Sequence, residues 1–144
     1  MIEMRREVAV TAPAGVAFDY LADFTNTEHW DPGTVRTVRI AGDGGPGTRY
    51  ANTSRFAGRT SELVYQVIAV DPGVSIELRG ENHALIAHDR IAVRPRAGGG
   101  SLVSYRIRFA FQGWRRWAEP LLRPVVARLL DDGARGLRRE LSRR

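Results

Sequence analysis

The stretch "ALIAHDRIAVRP" (residues 84–95) alternates apolar and polar residues with the period of a β-strand. That period puts Ala87, Asp89, Ile91 and Val93 on one face. Asp89 is then the only acid among the inward positions of the central strands. A carboxylate on an apolar surface must pair with an arginine, stay solvated in a cavity, or be neutralised through a raised pKa. The last two states are those a general acid or base needs. A bulge would instead flip the strand and present His88.

The same rule selects companions for Asp89. On "SLVSYRIRFAF" (101–111), Val103, Tyr105, Ile107, Phe109 and Phe111 share one side, with Ser104, Arg106 and Arg108 on the other. "GTRYANTSRF" turns Tyr50, Asn52, Ser54 and Phe56 inward, and "RTSELVYQVIAV" does so with Leu63, Tyr65 and Val67. An apolar surface with several hydroxyls and one amide suits a partly polar hydrophobic ligand. The alternative is a solid core whose tyrosines hydrogen-bond at its edge. If a reaction occurs, Asp89 and Tyr105 are the candidate catalytic groups, with Tyr65 and Asn52 beside them.

Many other chemistries are excluded. The 144 residues contain no cysteine, and all 22 basic side chains are arginine, so thiolate and lysine nucleophiles are absent. His83 and His88 have opposite parity on one run and His29 lies in a distant helical turn, which gives no metal spacing. No nucleophilic serine arrangement is supported by spacing. "GDGGPG" (42–47) spells the dinucleotide glycine pattern, with Glu62 as a nominal acidic partner, but it leads into a strand rather than a helix. It is read as a turn, and neither a metal nor a nucleotide cofactor is expected.

The elements that must hold these residues follow in order. "REVAVTAP" suits a strand that meets a helix beginning with proline in its first turn, and Ala14, Ala17, Phe18 and Leu21 fall on one helical face. "TNTE" has capping-box spacing between Thr25 and Glu28, predicting a second short helix that "DPG" (31–33) stops near Trp30. Trp30 is either a lid over the cavity or a staple for that helix. Six strand-like runs follow, joined by short turns that make neighbours antiparallel.

After Phe111 the period becomes 3.6. Trp114, Ala118, Leu121, Leu122, Val125, Val126, Leu129, Leu130, Leu137 and Leu141 form one apolar stripe on a long helix that starts or kinks near Pro120 and Pro124.

This order resembles the helix-grip fold of the START-related superfamily often labelled SRPBCC, and within it the polyketide cyclase/dehydrase-like branch. The matching landmarks are "APAGVAFDYLADFTNTEHWDPG", "GPGTRY", "YQVIAVDPG", "GGGSLVSYRIRF" and the long apolar helix. The resemblance implies an α+β fold in which a curved seven-stranded antiparallel sheet wraps the last helix and leaves a cavity. It implies one domain over 1–144 that binds a lipid-like or polyketide-like molecule. Trp30, Tyr50, Asn52, Phe56, Tyr65, Asp89, Tyr105, Phe109, Leu121 and Val125 are the expected ligand contacts. The alternative it implies is a cyclase or dehydratase using Asp89 and the cavity tyrosines.

The formal charge of +6 is concentrated at residues 114–144, which hold nine arginines against four acids. Such a stripe would suit anionic lipid or nucleic acid. In a helix-grip fold the sheet covers it, so nucleic acid is not expected and membrane contact is a minor alternative. No stretch approaches the roughly 18 apolar residues of a membrane span, and the first residues lack a signal-peptide core. The expectation is a cytoplasmic monomer or homodimer.

Overall fold

The computed structural model describes residues 1–56 and 58–144. One antiparallel sheet contains β1 (Ile2–Val10), β2 (Thr34–Ala41), β3 (Arg49–Phe56), β4 (Arg59–Asp71), β5 (Ser75–Glu81), β6 (Leu85–Pro95) and β7 (Ser101–Phe111). Its order is β1-β7-β6-β5-β4-β3-β2. Among the described residues five neighbouring pairs are therefore sequential hairpins, and only β1 reaches across the chain, from Ile2 opposite Phe109 to Val10 opposite Ser101. Between β1 and β2 lie α1 (Ala14–Ala22), a 3-10 turn and α2 (Thr27–Trp30). A second 3-10 turn (Gly113–Ala118) leads into α3 (Glu119–Leu141). This is the expected α+β helix-grip architecture, a curved seven-stranded sheet around a long C-terminal helix.

Period two sets the faces as expected. Buried positions alternate along β6 and β7, so Ala87, Asp89, Ile91, Val103, Tyr105 and Ile107 point to the helix side. β6 runs through Asp89 with no shift against either neighbour, so no bulge brings His88 inward. Register shifts do occur in β2 and between Val67 and Ala69 of β4, and such shifts bend the strands that carry them.

The glycine pattern at 42–47 is the β2–β3 turn. Gly42, Gly44 and Gly47 have φ of 92°, 105° and 90°, which only glycine adopts freely. The Thr48 hydroxyl closes the turn by accepting from the Gly44 N–H at 2.8 Å. No helix follows, so no phosphate cradle forms.

Two local expectations are corrected. Thr25 and Glu28 do not make a capping box. Asp23 caps the 3-10 turn by accepting from the Thr25 N–H, while Glu28 is drawn off to the Thr37 N–H of β2 at 2.8 Å. The sheet also does not cover the whole α3 stripe. Val126, Leu130, Leu137 and Leu141 are fully buried, whereas Trp114 and Leu121 are 71% and 80% exposed, and Trp117, outside the stripe, is 76% exposed. The helix begins at Glu119 with Pro120 in its first turn, and Pro124 lies inside it.

Candidate functional site

Two glycines fix where α3 sits. A Cβ on Gly136 would lie 1.7 Å from the Trp30 carbonyl oxygen, and one on Gly133 would touch the Trp30 ring at 3.6 Å. Bare backbone at these positions lets α2 press against α3. Trp30 is then buried edge-on to Tyr105, with ring centroids 5.4 Å apart and planes at 89°. Trp30 is thus a staple between α2, α3 and β7, and it does not line the cavity.

On the other side of this contact the sheet and α3 separate. A cavity of about 810 Å³ lies between β3, β4, β6, β7, the Asp31–Thr34 turn and the first half of α3, whose Leu122 and Leu129 face it. That volume falls in the range of small-molecule sites. Of the residues expected to meet a ligand, Asn52, Phe56, Tyr65, Asp89, Tyr105 and Phe109 line it.

Tyr50, Trp30, Leu121 and Val125 do not. Tyr50 is buried beneath Phe24, 5.6 Å between centroids, and Phe24 takes its place in the wall. Leu121 points to solvent, and Val125 lies in a separate shallow depression beside Pro124.

The cavity wall changes character along its length. Near the β3–β4 hairpin Phe56, Phe109 and Phe111 form an aromatic cluster with centroids 6.0 to 6.4 Å apart. Further along, Tyr65 lies across Gly80, its β5 partner. A Cβ there would come within 2.7 Å of the ring, so Gly80 makes the space that Tyr65 fills. Asn52 is held by polar neighbours. Its amide N–H donates to the Thr37 hydroxyl at 2.9 Å and its carbonyl accepts from Ser54 at 2.6 Å.

Asp89 sits among apolar neighbours, opposite Leu78 on β5 and Ile107 on β7. Its Oδ1 is buried and, among the described residues, has no hydrogen-bond partner. Loss of hydration, with a smaller contribution from Asp31, raises its pKa to about 8. At neutral pH it is a protonated carboxylic acid in the cavity wall. Burial, followed by the fields of Asp89 and Asp31, raises the Tyr65 and Tyr105 hydroxyls well above their ordinary value, so both stay neutral donors.

Asp31 is the functional candidate that sequence reading missed. It lines the cavity with both oxygens fixed: Oδ1 accepts from the Gly33 N–H at 3.0 Å and Oδ2 from the Thr34 hydroxyl at 3.1 Å. Burial raises its pKa, and these two hydrogen bonds oppose the shift. Its place in "DPG" marks it as a turn residue, and nothing in the local pattern says that the turn faces a cavity. Among the described residues no cluster of three His, Cys, Asp or Glu is arranged to hold a metal ion.

A sheet gripping one long helix around an open cavity defines the helix-grip class. The chain belongs to the polyketide cyclase / dehydrase and lipid transport family, whose profile matches residues 1–142. In structure the chain is similar to the Zhui aromatase/cyclase from Streptomyces sp. R1128, with a TM-score of 0.86 at 16% identity, covering 99% of this chain and 94% of that one. It is also similar to a START superfamily protein from Mycobacterium smegmatis, with a TM-score of 0.81 at 16% identity, covering 98% and 97%. A third likeness is the major latex-like protein 151 of Panax ginseng, with a TM-score of 0.74 at 10% identity, covering 97% of each chain. At these identities the likeness is one of fold. No curated protein matches the sequence significantly.

Proposed function

We propose that the chain, as one domain, binds a small apolar molecule carrying at least one carbonyl or hydroxyl oxygen. The observation that carries this reading is the 810 Å³ cavity with an unpaired, protonated Asp89 in its wall. The phenyl cluster takes the apolar body of the ligand, and the Asp89 O–H donates to its oxygen. A ligand acceptor at that point supplies the partner that Asp89 lacks, which favours oxygenated guests over plain hydrocarbons.

Native mass spectrometry of protein taken gently from its host tests the reading, together with displacement of an environment-sensitive apolar dye. Saturable dye binding that weakens in Asp89→Leu for oxygenated competitors, but not for hydrocarbons, is the expected result. Absence of both a co-purifying mass and saturable dye binding refutes it.

A second reading has a specific observation behind it, the pairing of a protonated Asp89 with a fixed Asp31 carboxyl and two neutral phenols. In a dehydration, Asp89 gives its proton to a departing hydroxyl, which leaves as water. The Asp89 carboxylate left behind takes the proton from the adjacent carbon, the C–H electron pair becomes the new double bond, and Asp89 is an acid again. The aromatase/cyclase named among the structural relatives makes a polyketide-like substrate a sensible first choice. Dehydration of a β-hydroxy ketide thioester that falls above about pH 8, and is abolished in Asp89→Asn and reduced in Tyr105→Phe, supports catalysis. Dye binding without turnover supports a carrier.

A further inference from the structure

The apolar surface that the sheet leaves uncovered begins at the cavity. Trp114 and Arg115 line the cavity, while Trp117 and Leu121, outside its lining, are both largely exposed. Val125 and Arg128 continue along α3 at four and seven residues from Leu121, on one helical face. The Arg115 guanidinium lies 4.9 Å from the Trp114 ring centre and that of Arg116 5.3 Å from Trp117. Residues 114–128 contain four arginines and one acid, Glu119. That carboxylate is engaged by the Phe111 N–H at 3.3 Å and by the Met1 ammonium at 2.5 Å. Among the described residues Arg115, Arg116 and Arg128 make no ion pair.

Large rings left in water are unfavourable, and contiguous apolar patches of this kind mark contact surfaces. Indole rings interleaved with unpaired guanidiniums match one environment closely, the headgroup layer of an anionic bilayer. Rings settle at the acyl boundary there while guanidiniums bind phosphate. We propose that this patch docks on an anionic lipid surface and holds the cavity mouth against it. A nucleic acid would satisfy the arginines but leave Leu121 and Val125 uncovered. A second copy packed by two-fold symmetry would bring like charges together. Docked this way, an apolar guest passes between bilayer and cavity without crossing water.

The test compares vesicles of phosphatidylcholine alone with vesicles also containing phosphatidylglycerol, reading tryptophan emission and co-sedimentation. The expected result is a blue shift and co-sedimentation with the anionic vesicles only, both weakened by added salt. Arg116→Gln lowers partitioning roughly fivefold, and Trp117→Ser removes much of the blue shift. Neither residue lines the cavity, so apolar-dye affinity in vesicle-free buffer stays at the wild-type value in both variants. Loss of dye binding in the wild type would therefore refute the ligand reading without touching this one. Four results overturn the docking proposal: equal binding to both vesicle types, no binding, wild-type partitioning by both variants, or a concentration-dependent dimer that both variants dissolve. Tighter binding to duplex DNA than to anionic vesicles overturns it in favour of nucleic acid.

Discussion

From Val126 to Leu141, α3 buries leucines against β1 and lets its backbone touch Trp30 through Gly136. From the preceding 3-10 turn to Val125, the same apolar stripe stands off the sheet and ends in solvent. One helix therefore does two jobs. Its C-terminal half closes the core, and its N-terminal half spans a void that the core does not fill. Buried packing is concentrated where the helix is gripped, and the open cavity lies where it is released.

The largest expected effect breaks the gripped end. Gly136→Ala places a methyl against the Trp30 backbone, which cannot swing aside as a side chain would, and costs about 3 kcal/mol or more in denaturant unfolding. Leu137→Ala leaves a cavity in the packed half and costs roughly 3 kcal/mol.

Asp89 probes the open half through pH. Its folded pKa of about 8 lies above the ordinary 3.8, so between these values the folded state holds a proton that the unfolded state has released. Stability accordingly falls as pH rises through that window and levels off above about 8. Between about pH 5 and pH 8 the loss is on the order of 3 kcal/mol. Asp89→Asn flattens this dependence, and an unchanged slope would mean that Asp89 is ionised in the fold. The smallest effect sharpens the contrast with Leu137: Leu121→Ser shifts unfolding by no more than about 0.5 kcal/mol, because Leu121 is largely exposed.

Most of the fold is legible in the sequence because strands with one buried face advertise it. The alternation through "SLVSYRIRFAF" and "AHDRIAVRP" fixes which residues face the helix, and with it the inward placement of Asp89, Tyr105 and Phe109. The 3.6 period of α3 is equally clear, yet a period reports which face is apolar and not what covers it. Leu121 and Val125 were thereby expected against the sheet when they are outside it. Trp30 and Tyr50 share that limit, since a large ring fits a cavity wall and a packed core equally well by type.

Asp31 and the pair Gly133 and Gly136 are harder still. A turn aspartate satisfies its own turn, and a mid-helix glycine reads as a weak helix former. Their roles come from segments about a hundred residues apart meeting in space, which no local pattern records.

The β1–β7 pairing bears on how the molecule is made. Every other neighbour in the sheet is a hairpin that can zip as soon as its second strand exists, with little loop entropy to overcome. Residues 2–10 must instead wait, unpaired, until residues 101–109 emerge from the ribosome. Closure of the sheet, and the seating of α3 on β1, therefore needs a strand made about a hundred residues after its partner.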